Sequence, residues 1–364
     1  VLIEAKPELA GETSFANGAM LTPSMPEPWN SPGVGKHLMA SLFDPKSAMK
    51  LHIHAIPRFF SWGLKFLRHS VPAKHRISTE AVFKLAKYST KRTEQLVNGL
   101  KLDCQFSDLG TVKVFAENTA LEAAADAALS LRHQGLRHQL LSRDELIELE
   151  PALADIKDKV VGGILYPDDR VGDARMFSHA LADKAIEVGA QIKTGERVNS
   201  IIVENGEVRG VETDSETISC DRVVLCSGFA GPELADRLGV RLPIKPVKGY
   251  TVTVGTDGVN MPLPKRPIID DAMHAAIVQL GKRLRIAGTA EFTHLDRTLS
   301  QSRIDNLLSL LVRLIPQMGQ HLSNVEVKPW TNFRPMSADG VPFIGTAGPS
   351  GLWINAGHGY LGWT

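Results

Sequence analysis

The sequence has few cysteines, almost no excess charge and no long apolar run, and each shortage excludes a class of protein. Three cysteines among 364 residues are too few for a disulfide framework, which favours a reducing compartment such as the cytoplasm. The 41 Lys and Arg nearly balance the 40 Asp and Glu, so the basic excess expected of a nucleic-acid-binding protein is missing. No apolar run approaches the ~20 residues of a membrane-spanning helix.

Both ends of the sequence lie within apolar segments. Residues 1–3 form an apolar run that Glu4 closes, and residues 361–364 end without a polar tail. We therefore expect the sequence to be a piece of a longer protein, so a secretory signal cannot be judged from it.

The remaining pattern predicts an α/β fold with two kinds of sheet. Residues 222–226 are nearly all apolar, which is typical of a strand buried on both faces of a parallel sheet. Residues 247–291 instead predict antiparallel strands. Asn205 and Gly206 predict the turn of a hairpin, and a further strand pair is expected over residues 104–115. The parallel and antiparallel parts are interleaved along the chain.

Residues 45–79 contain seven Lys or Arg and no acid. Apolar residues recur there at helical spacing, at Ile56, Phe60, Leu64, Leu67 and Val71. A basic helix that also carries Phe59, Trp62 and Phe66 can lie on an anionic membrane surface. The alternative is a helix packed on the domain with its charges in solvent. A second amphipathic helix is expected over residues 80–100.

Glu4 and the pair Ser227-Gly228 have the positions that dinucleotide-binding folds use. An acid at the end of a buried strand accepts hydrogen bonds from a ribose, and small residues after a parallel strand let a ligand approach the backbone. The glycine-rich phosphate turn of such a fold would precede Val1. An ordinary surface acid and an ordinary tight turn remain alternatives.

Arg334 and the glycines that follow residue 356 suit an anionic or flat ligand. Arg334 stands between Phe333 and Pro335, and an arginine in apolar company binds a carboxylate bidentately; a structural ion pair is the alternative. Three glycines in six residues, Gly357, Gly359 and Gly362, allow close approach to the backbone.

Taken together and in order, five segments resemble the bacterial flavin-dependent D-amino-acid dehydrogenases of the small-subunit type, within the D-amino-acid oxidase-like group of FAD oxidoreductases. The resemblance runs over essentially the whole chain. Its most specific parts are residues 12–18 (ETSFANG), 28–33 (PWNSPG), 246–250 (PVKGY), the segment around Arg334, and 357–364.

The resemblance implies two interleaved domains. A Rossmann-like FAD-binding domain would comprise residues 1–100, 172–240 and 335–364, and an antiparallel-sheet substrate domain residues 101–171 and 241–334. The N-terminal phosphate-loop unit is missing from this sequence, as is the helix expected after Thr364. We therefore expect the sequence as given to bind FAD poorly.

The resemblance also implies site residues. Arg334 would bind the substrate carboxylate, and Tyr250 would add a hydroxyl to it. His358, the titratable group of the terminal glycine loop, is a candidate for a catalytic or electrostatic role. No metal site is expected. The residues that would hold FAD are Glu4, Ser14, Ala16, Asn17, Gly18, Val198, Ser227, Gly228, Gly357, Gly359, Leu361, Gly362 and Thr364.

The implied reaction is oxidative deamination of a D-amino acid to a 2-oxo acid and ammonia. FAD would take a hydride from Cα, and the electrons would pass to a quinone or another respiratory acceptor. A cytoplasmic protein with peripheral contact to the inner face of the cell membrane, through residues 45–79, would suit that acceptor. Two alternatives remain: an oxidase of glycine, sarcosine or another amine, and an inactive remnant or assembly subunit.

Overall fold

The structure is a computed structural model that describes residues 1–42, 44 and 47–364. Its helices in the described part are α1 (Val34–Ser41), α2 (Ile56–His69), α3 (Pro72–Leu100), α4 (Asn118–Ser130), α5 (Arg143–Leu149), α6 (Ala174–Glu187), α7 (Gly231–Asp236) and α8 (Gln301–Leu314). Its strands there are β1 (Leu2–Glu4), β2 (Met20–Leu21), β3 (Met49–Leu51), β4 (Thr111–Phe115), β5 (Gln139–Ser142), β6 (Gly162–Tyr166), β7 (Arg170–Val171), β8 (Ile192–Thr194), β9 (Val198–Glu204), β10 (Glu207–Thr213), β11 (Thr217–Ser219), β12 (Val223–Leu225), β13 (Ile244–Gly255), β14 (Ile268–Asp270), β15 (Ala275–Leu280), β16 (Arg283–Phe292), β17 (Val327–Ser337), β18 (Phe343–Thr346) and β19 (Leu352–Ala356).

A large, mostly antiparallel sheet forms the centre of the molecule. Its strands lie in the order β17-β13-β16-β15-β14-β4-β6-β5, and β3 pairs with β16. Successive side chains of a strand point to opposite faces, so each face receives its own apolar layer. On one face Leu307 and Leu311 of α8 pack with Val252 and Ile286 of the sheet. On the other, Phe59 and Trp62 of α2 pack with Val247 and Phe292.

Smaller sheets carry the parallel strands. β1 pairs with β8, and β12 pairs with β19, both in parallel. The predicted hairpin is confirmed: β9 and β10 are antiparallel, and Asn205 and Gly206 have φ of 51° and 80°. The prediction that residues 222–226 are buried on both faces is wrong, because Val224 is 60% exposed.

The α/β class with an interleaved antiparallel sheet is confirmed. The small parallel sheets consist of strands from residues 1–100, 172–240 and 335–364, whereas most strands of the large sheet come from 101–171 and 241–334. β3 and the end of β17 join the large sheet from outside those ranges. The domain division itself stays a prediction.

Two predicted elements have different extents in the structure. Residues 104–115 contain only β4 rather than a strand pair. The segment before β4 lies against the start of α6 instead, where the Asp173 amide donates to the Cys104 carbonyl at 2.7 Å. The helix predicted over residues 80–100 is the end of α3, which runs 29 residues from Pro72.

Helix α2 has two apolar faces, and the one that the spacing singled out faces outward. Phe59, Trp62 and Phe66 are buried, and the Trp62 indole donates to the carbonyls of Pro243 and Met336 at 3.1 and 3.2 Å. The outer stripe consists of exposed residues, namely Ile56, Phe60, Leu64, Leu67 and Val71. Pro45 and Lys46, at the start of the acid-free segment, lie outside the described residues. None of the helices in the described chain is long and apolar enough to cross a membrane.

We expect Trp62→Ala to lower the free energy of unfolding by about 3–5 kcal/mol, because it empties a buried aromatic site and leaves two carbonyls without their donor. Phe60→Ala, on the same helix but 62% exposed, is the matched control and is expected to change that free energy by less than about 0.5 kcal/mol. Urea unfolding of both variants checks this. Equal losses would contradict the assignment of the inner face.

Candidate active site

A cavity of about 1620 Å³ brings the predicted site residues together. It is lined by residues of β1, β12, β13 and β17 and by the loop after β19. Every predicted site residue lines it except Gly357. Gly357 packs behind the loop, where an added Cβ would lie 3.2 Å from Ile244 and Phe343, and its φ of +79° also favours glycine.

The loop of residues 357–364 lies directly beside Arg334. Met336, two residues after Arg334 on β17, forms an antiparallel bridge with His358. A Cβ at Gly359 would lie only 3.0 Å from the Met336 sulfur, and the φ of Gly359 is +61°. Glycine at 359 is therefore required for the loop to pack this closely against the strand that carries Arg334.

The loop of residues 12–18 is held by hydrogen bonds to β17 and β13. The Thr13 hydroxyl donates to the Phe333 carbonyl at 3.0 Å, and the Thr251 hydroxyl donates to the Ala16 carbonyl at 3.0 Å. The Asn17 side chain accepts from the Ala19 amide at 2.9 Å. These bonds hold the loop so that Ser14, Ala16, Asn17 and Gly18 line the cavity.

The parallel strands β1 and β12 contribute another part of the cavity wall. Glu4 ends β1, and its carbonyl accepts from the Glu196 amide at 3.0 Å, which holds β1 beside the start of β9 at Val198. Ser227 and Gly228 follow β12, with Gly228 at φ +56°. At the end of the chain, the Thr364 hydroxyl accepts from the Thr22 amide at 3.1 Å.

Arg334 carries a partly buried charge without a carboxylate partner in the described chain. Its guanidinium lies against the bare backbone of Gly249, Nη1 donates to the Thr289 carbonyl at 3.0 Å, and Cζ lies 5.4 Å from the centre of the Trp29 ring. Burial lowers the pKa of Arg334 to about 10, and the group remains charged at neutral pH. A bound anion is the partner that this site lacks.

Tyr250 lies on the opposite face of the sheet from Arg334, against the expectation that both bind one carboxylate. Arg334 pairs with Val247, so it shares the face of Val247 and Gly249, whereas Tyr250 points the other way. The Tyr250 hydroxyl donates to Glu291 at 2.9 Å, and Glu291 also accepts from Arg303 at 2.8 Å. The Tyr250 hydroxyl therefore donates its hydrogen bond on the face of the sheet that α8 covers, away from Arg334.

His358 lines the cavity with a partly buried imidazole. Burial lowers its pKa below the usual value, so the ring is neutral at neutral pH and supplies no positive charge there. Its catalytic or electrostatic role stays a prediction.

Sequence reasoning assigned no role to several cavity residues, among them Trp29, Tyr360 and Thr289. Trp29 stacks on Tyr360, with ring centres 5.5 Å apart, and Thr289 lies next to Arg334. Trp29 lies in the segment of residues 28–33 that carries the family resemblance, so the sequence could have indicated it. The position of Thr289 beside Arg334 depends on strand pairing, which the sequence does not show. In the described chain, three buried polar atoms of cavity residues have no hydrogen-bond partner: Thr289 Oγ1, the Tyr360 hydroxyl and Trp363 Nε1.

These residues suit a bound group with both flat and polar parts. One cavity contains exposed glycine backbone, polar atoms without hydrogen-bond partners and an acid at the end of β1. It lies at the carboxyl ends of parallel strands, where α/β folds bind ligands. The fold and the site therefore define a class: α/β enzymes that hold a dinucleotide cofactor next to a site for an anionic substrate.

Comparison with known proteins identifies the family. A family profile described as "FAD dependent oxidoreductase" matches residues 1–364. The D-amino acid dehydrogenase of Rhizobium rhizogenes is 34% identical over 354 residues, which cover 97% of this chain and 84% of that protein. The D-amino acid dehydrogenase of Bradyrhizobium diazoefficiens is 32% identical over 363 residues, covering 100% and 85%. The chain belongs to the FAD-dependent oxidoreductase family, and FAD is the family's cofactor.

Solved structures share the fold. The glycine oxidase from Geobacillus kaustophilus superposes with a TM-score of 0.76 at 23% identity, covering 99% of this chain and 83% of that one. The L-alpha-glycerophosphate oxidase from Mycoplasma pneumoniae, solved with FAD bound, gives a TM-score of 0.69 at 17% identity and covers 100% and 84%.

We expect Gly249→Ala to weaken carboxylate binding by about 10-fold to 100-fold, since the new methyl group takes the place of the Arg334 guanidinium and its charge-assisted bonds are lost. The displaced atoms are the end of a flexible side chain, so the free energy of unfolding should change by less than about 1 kcal/mol. Calorimetric titration with propionate, together with urea unfolding, measures both.

Gly255→Ala on the same strand is the matched control, because an added Cβ there meets its neighbours at ordinary distances of 3.6 to 3.8 Å. It should leave propionate binding unchanged. If Gly249→Ala bound propionate as the unaltered protein does, Arg334 would not be the carboxylate site.

Proposed function

We propose that this enzyme oxidatively deaminates D-amino acids to 2-oxo acids and ammonia. The observation that carries the proposal is the buried guanidinium of Arg334, which faces a cavity of an FAD-dependent family without a carboxylate partner in the described chain. A substrate with a carboxylate supplies that partner. The names of the D-amino acid dehydrogenases cited above support an amino acid of the D series.

The residues of the chain bind and orient the substrate. FAD, held by the residues that line the cavity, would supply the two-electron oxidising power for this reaction. Arg334 holds the carboxylate bidentately, and the Trp29 ring limits where the guanidinium can move. Orientation of this kind contributes a large part of the rate. His358, whose pKa burial lowers, adds no positive charge beside the substrate at neutral pH.

Room for a side chain favours an amino acid larger than glycine. Beside Thr289 the cavity is lined by Ala48, Met49 and Ala290, and Ala290 pairs with Met49 across β3 and β16. These apolar residues suit an aliphatic side chain on Cα. Oxidation of glycine or sarcosine, and an inactive chain, are outcomes of the following test.

A substrate screen tests the proposal. The full-length protein, loaded with FAD, should reduce a dye with D-alanine and not with L-alanine, glycine or sarcosine. Arg334→Lys should lower kcat/KM for D-alanine at least about 100-fold, because a point charge replaces a planar fork, while the visible flavin spectrum stays unchanged.

Arg209→Lys, at an exposed ion pair on β10, is the control for the arginine change and should retain full activity. Turnover of glycine or sarcosine instead of D-alanine would move the enzyme to another amine. A holoenzyme that has a flavin spectrum but turns over no amine would indicate an inactive protein.

We further propose that the electrons pass to a quinone at the inner face of the membrane, which the outer stripe of α2 contacts. The stripe is apolar and exposed, and Arg58, Lys65 and Arg68 lie on the same helix. Residues 45–79 contain no acid, so nothing in that segment opposes attraction to anionic lipid. Each basic residue near such a surface contributes about 1 kcal/mol.

Vesicle flotation measures this contact. The protein should float with vesicles of phosphatidylcholine and phosphatidylglycerol, and the triple change Arg58→Gln, Lys65→Gln and Arg68→Gln should reduce the bound fraction about 10-fold or more. Leu64→Ser should also weaken binding. Leu140→Ser, an exposed leucine on β5, is the control, and flotation that survives the triple change would reject the membrane contact.

A further inference from the structure

Thr289 occupies a β-bulge beside the substrate arginine. Gly249 pairs with Ala290 and Tyr250 with Gly288, so Thr289 between them has no partner on β13. Its φ is +58°, a conformation that β-branched residues rarely adopt. Bulges and strained residues of this kind concentrate at functional sites, where they re-aim a group of the strand.

The bulge turns the Thr289 carbonyl toward Arg334. Nη1 of Arg334 donates to it at 3.0 Å, which fixes the guanidinium against Gly249. A regular strand would direct this carbonyl into the ladder with β13 instead. Thr289 is therefore a positioning residue for Arg334 through its backbone.

Besides its carbonyl, Thr289 has a side-chain hydroxyl that makes no hydrogen bond in the described chain. Thr289 is 7% exposed, it lines the cavity, and Oγ1 has no hydrogen-bond partner in the described chain. A buried hydroxyl without a partner is unfavourable, so a ligand is expected to satisfy it. The ligand group next to Arg334 is an anion, which accepts hydrogen bonds, and the hydroxyl would donate to it.

We propose that Thr289 is a further substrate-binding residue, whose hydroxyl donates to the carboxylate that Arg334 binds while its carbonyl orients the guanidinium. The inference rests on the proposed function only in taking the anion to be a carboxylate. It needs no turnover, so it can be tested by binding alone.

The test is calorimetric titration with propionate, which has the carboxylate of D-alanine without its amine. Thr289→Val keeps the shape of the side chain and removes the hydroxyl, and it should raise the Kd of propionate about 10-fold. Thr289→Ser keeps the hydroxyl and should restore binding to within about twofold. Thr289→Ala is the second variant without the hydroxyl, should valine disturb the strand.

A kinetic split separates this role from a structural one. In the holoenzyme, Thr289→Val should raise KM for D-alanine about 10-fold and leave kcat within about twofold, with an unchanged Tm. The inference is overturned if Thr289→Val or Thr289→Ala, once folded, binds propionate as the unaltered protein does, or if the unaltered protein does not bind propionate. Thr289-dependent propionate binding without oxidation of D-alanine would instead overturn the proposed function alone.

Discussion

A buried positive charge without its counter-ion is the constraint on which this site depends. Removing a guanidinium from water costs several kcal/mol unless opposite charge or hydrogen bonds replace the water. Arg334 receives one carbonyl, from Thr289, and the face of one ring, from Trp29. Since this compensation is partial, a carboxylate bound there, as proposed, would supply the missing opposite charge.

The same sheet also contacts an arginine whose charge is paired with a carboxylate of the chain. Arg303 on α8 is more deeply buried than Arg334, at 1% exposed, but its Nε donates to Glu291 at 2.8 Å and its Nη1 to the Ser47 carbonyl at 2.7 Å. That pair lies on the α8 face, together with Tyr250. The two faces therefore hold arginines in different settings: the charge of Arg303 is paired with the Glu291 carboxylate, whereas Arg334 has no carboxylate partner in the described chain and is the one proposed to bind a ligand.

The sequence predicted the parts of this molecule that depend on neighbouring residues. The hairpin at Asn205, the glycines beside the cavity and the apolar setting of Arg334 are all local signals. The opposite faces of Tyr250 and Arg334 depend on register between β13 and β17, which no single strand specifies. The bulge at Thr289 likewise exists only relative to its partner strand, so no local pattern could single it out.

Helix α2 connects the two proposed surfaces of the protein. Its sequence carries two apolar stripes, and periodicity cannot say which of them packs inward; the larger aromatic residues do, because they bury more apolar area. The inner stripe contacts a residue next to the site, because the Trp62 indole donates to the carbonyl of Met336. Met336 forms a β-bridge with His358 and lies two residues after Arg334. If the outer stripe contacts lipid as proposed, α2 places the membrane on the side of the molecule where Met336 and the loop of residues 357–364 pack together.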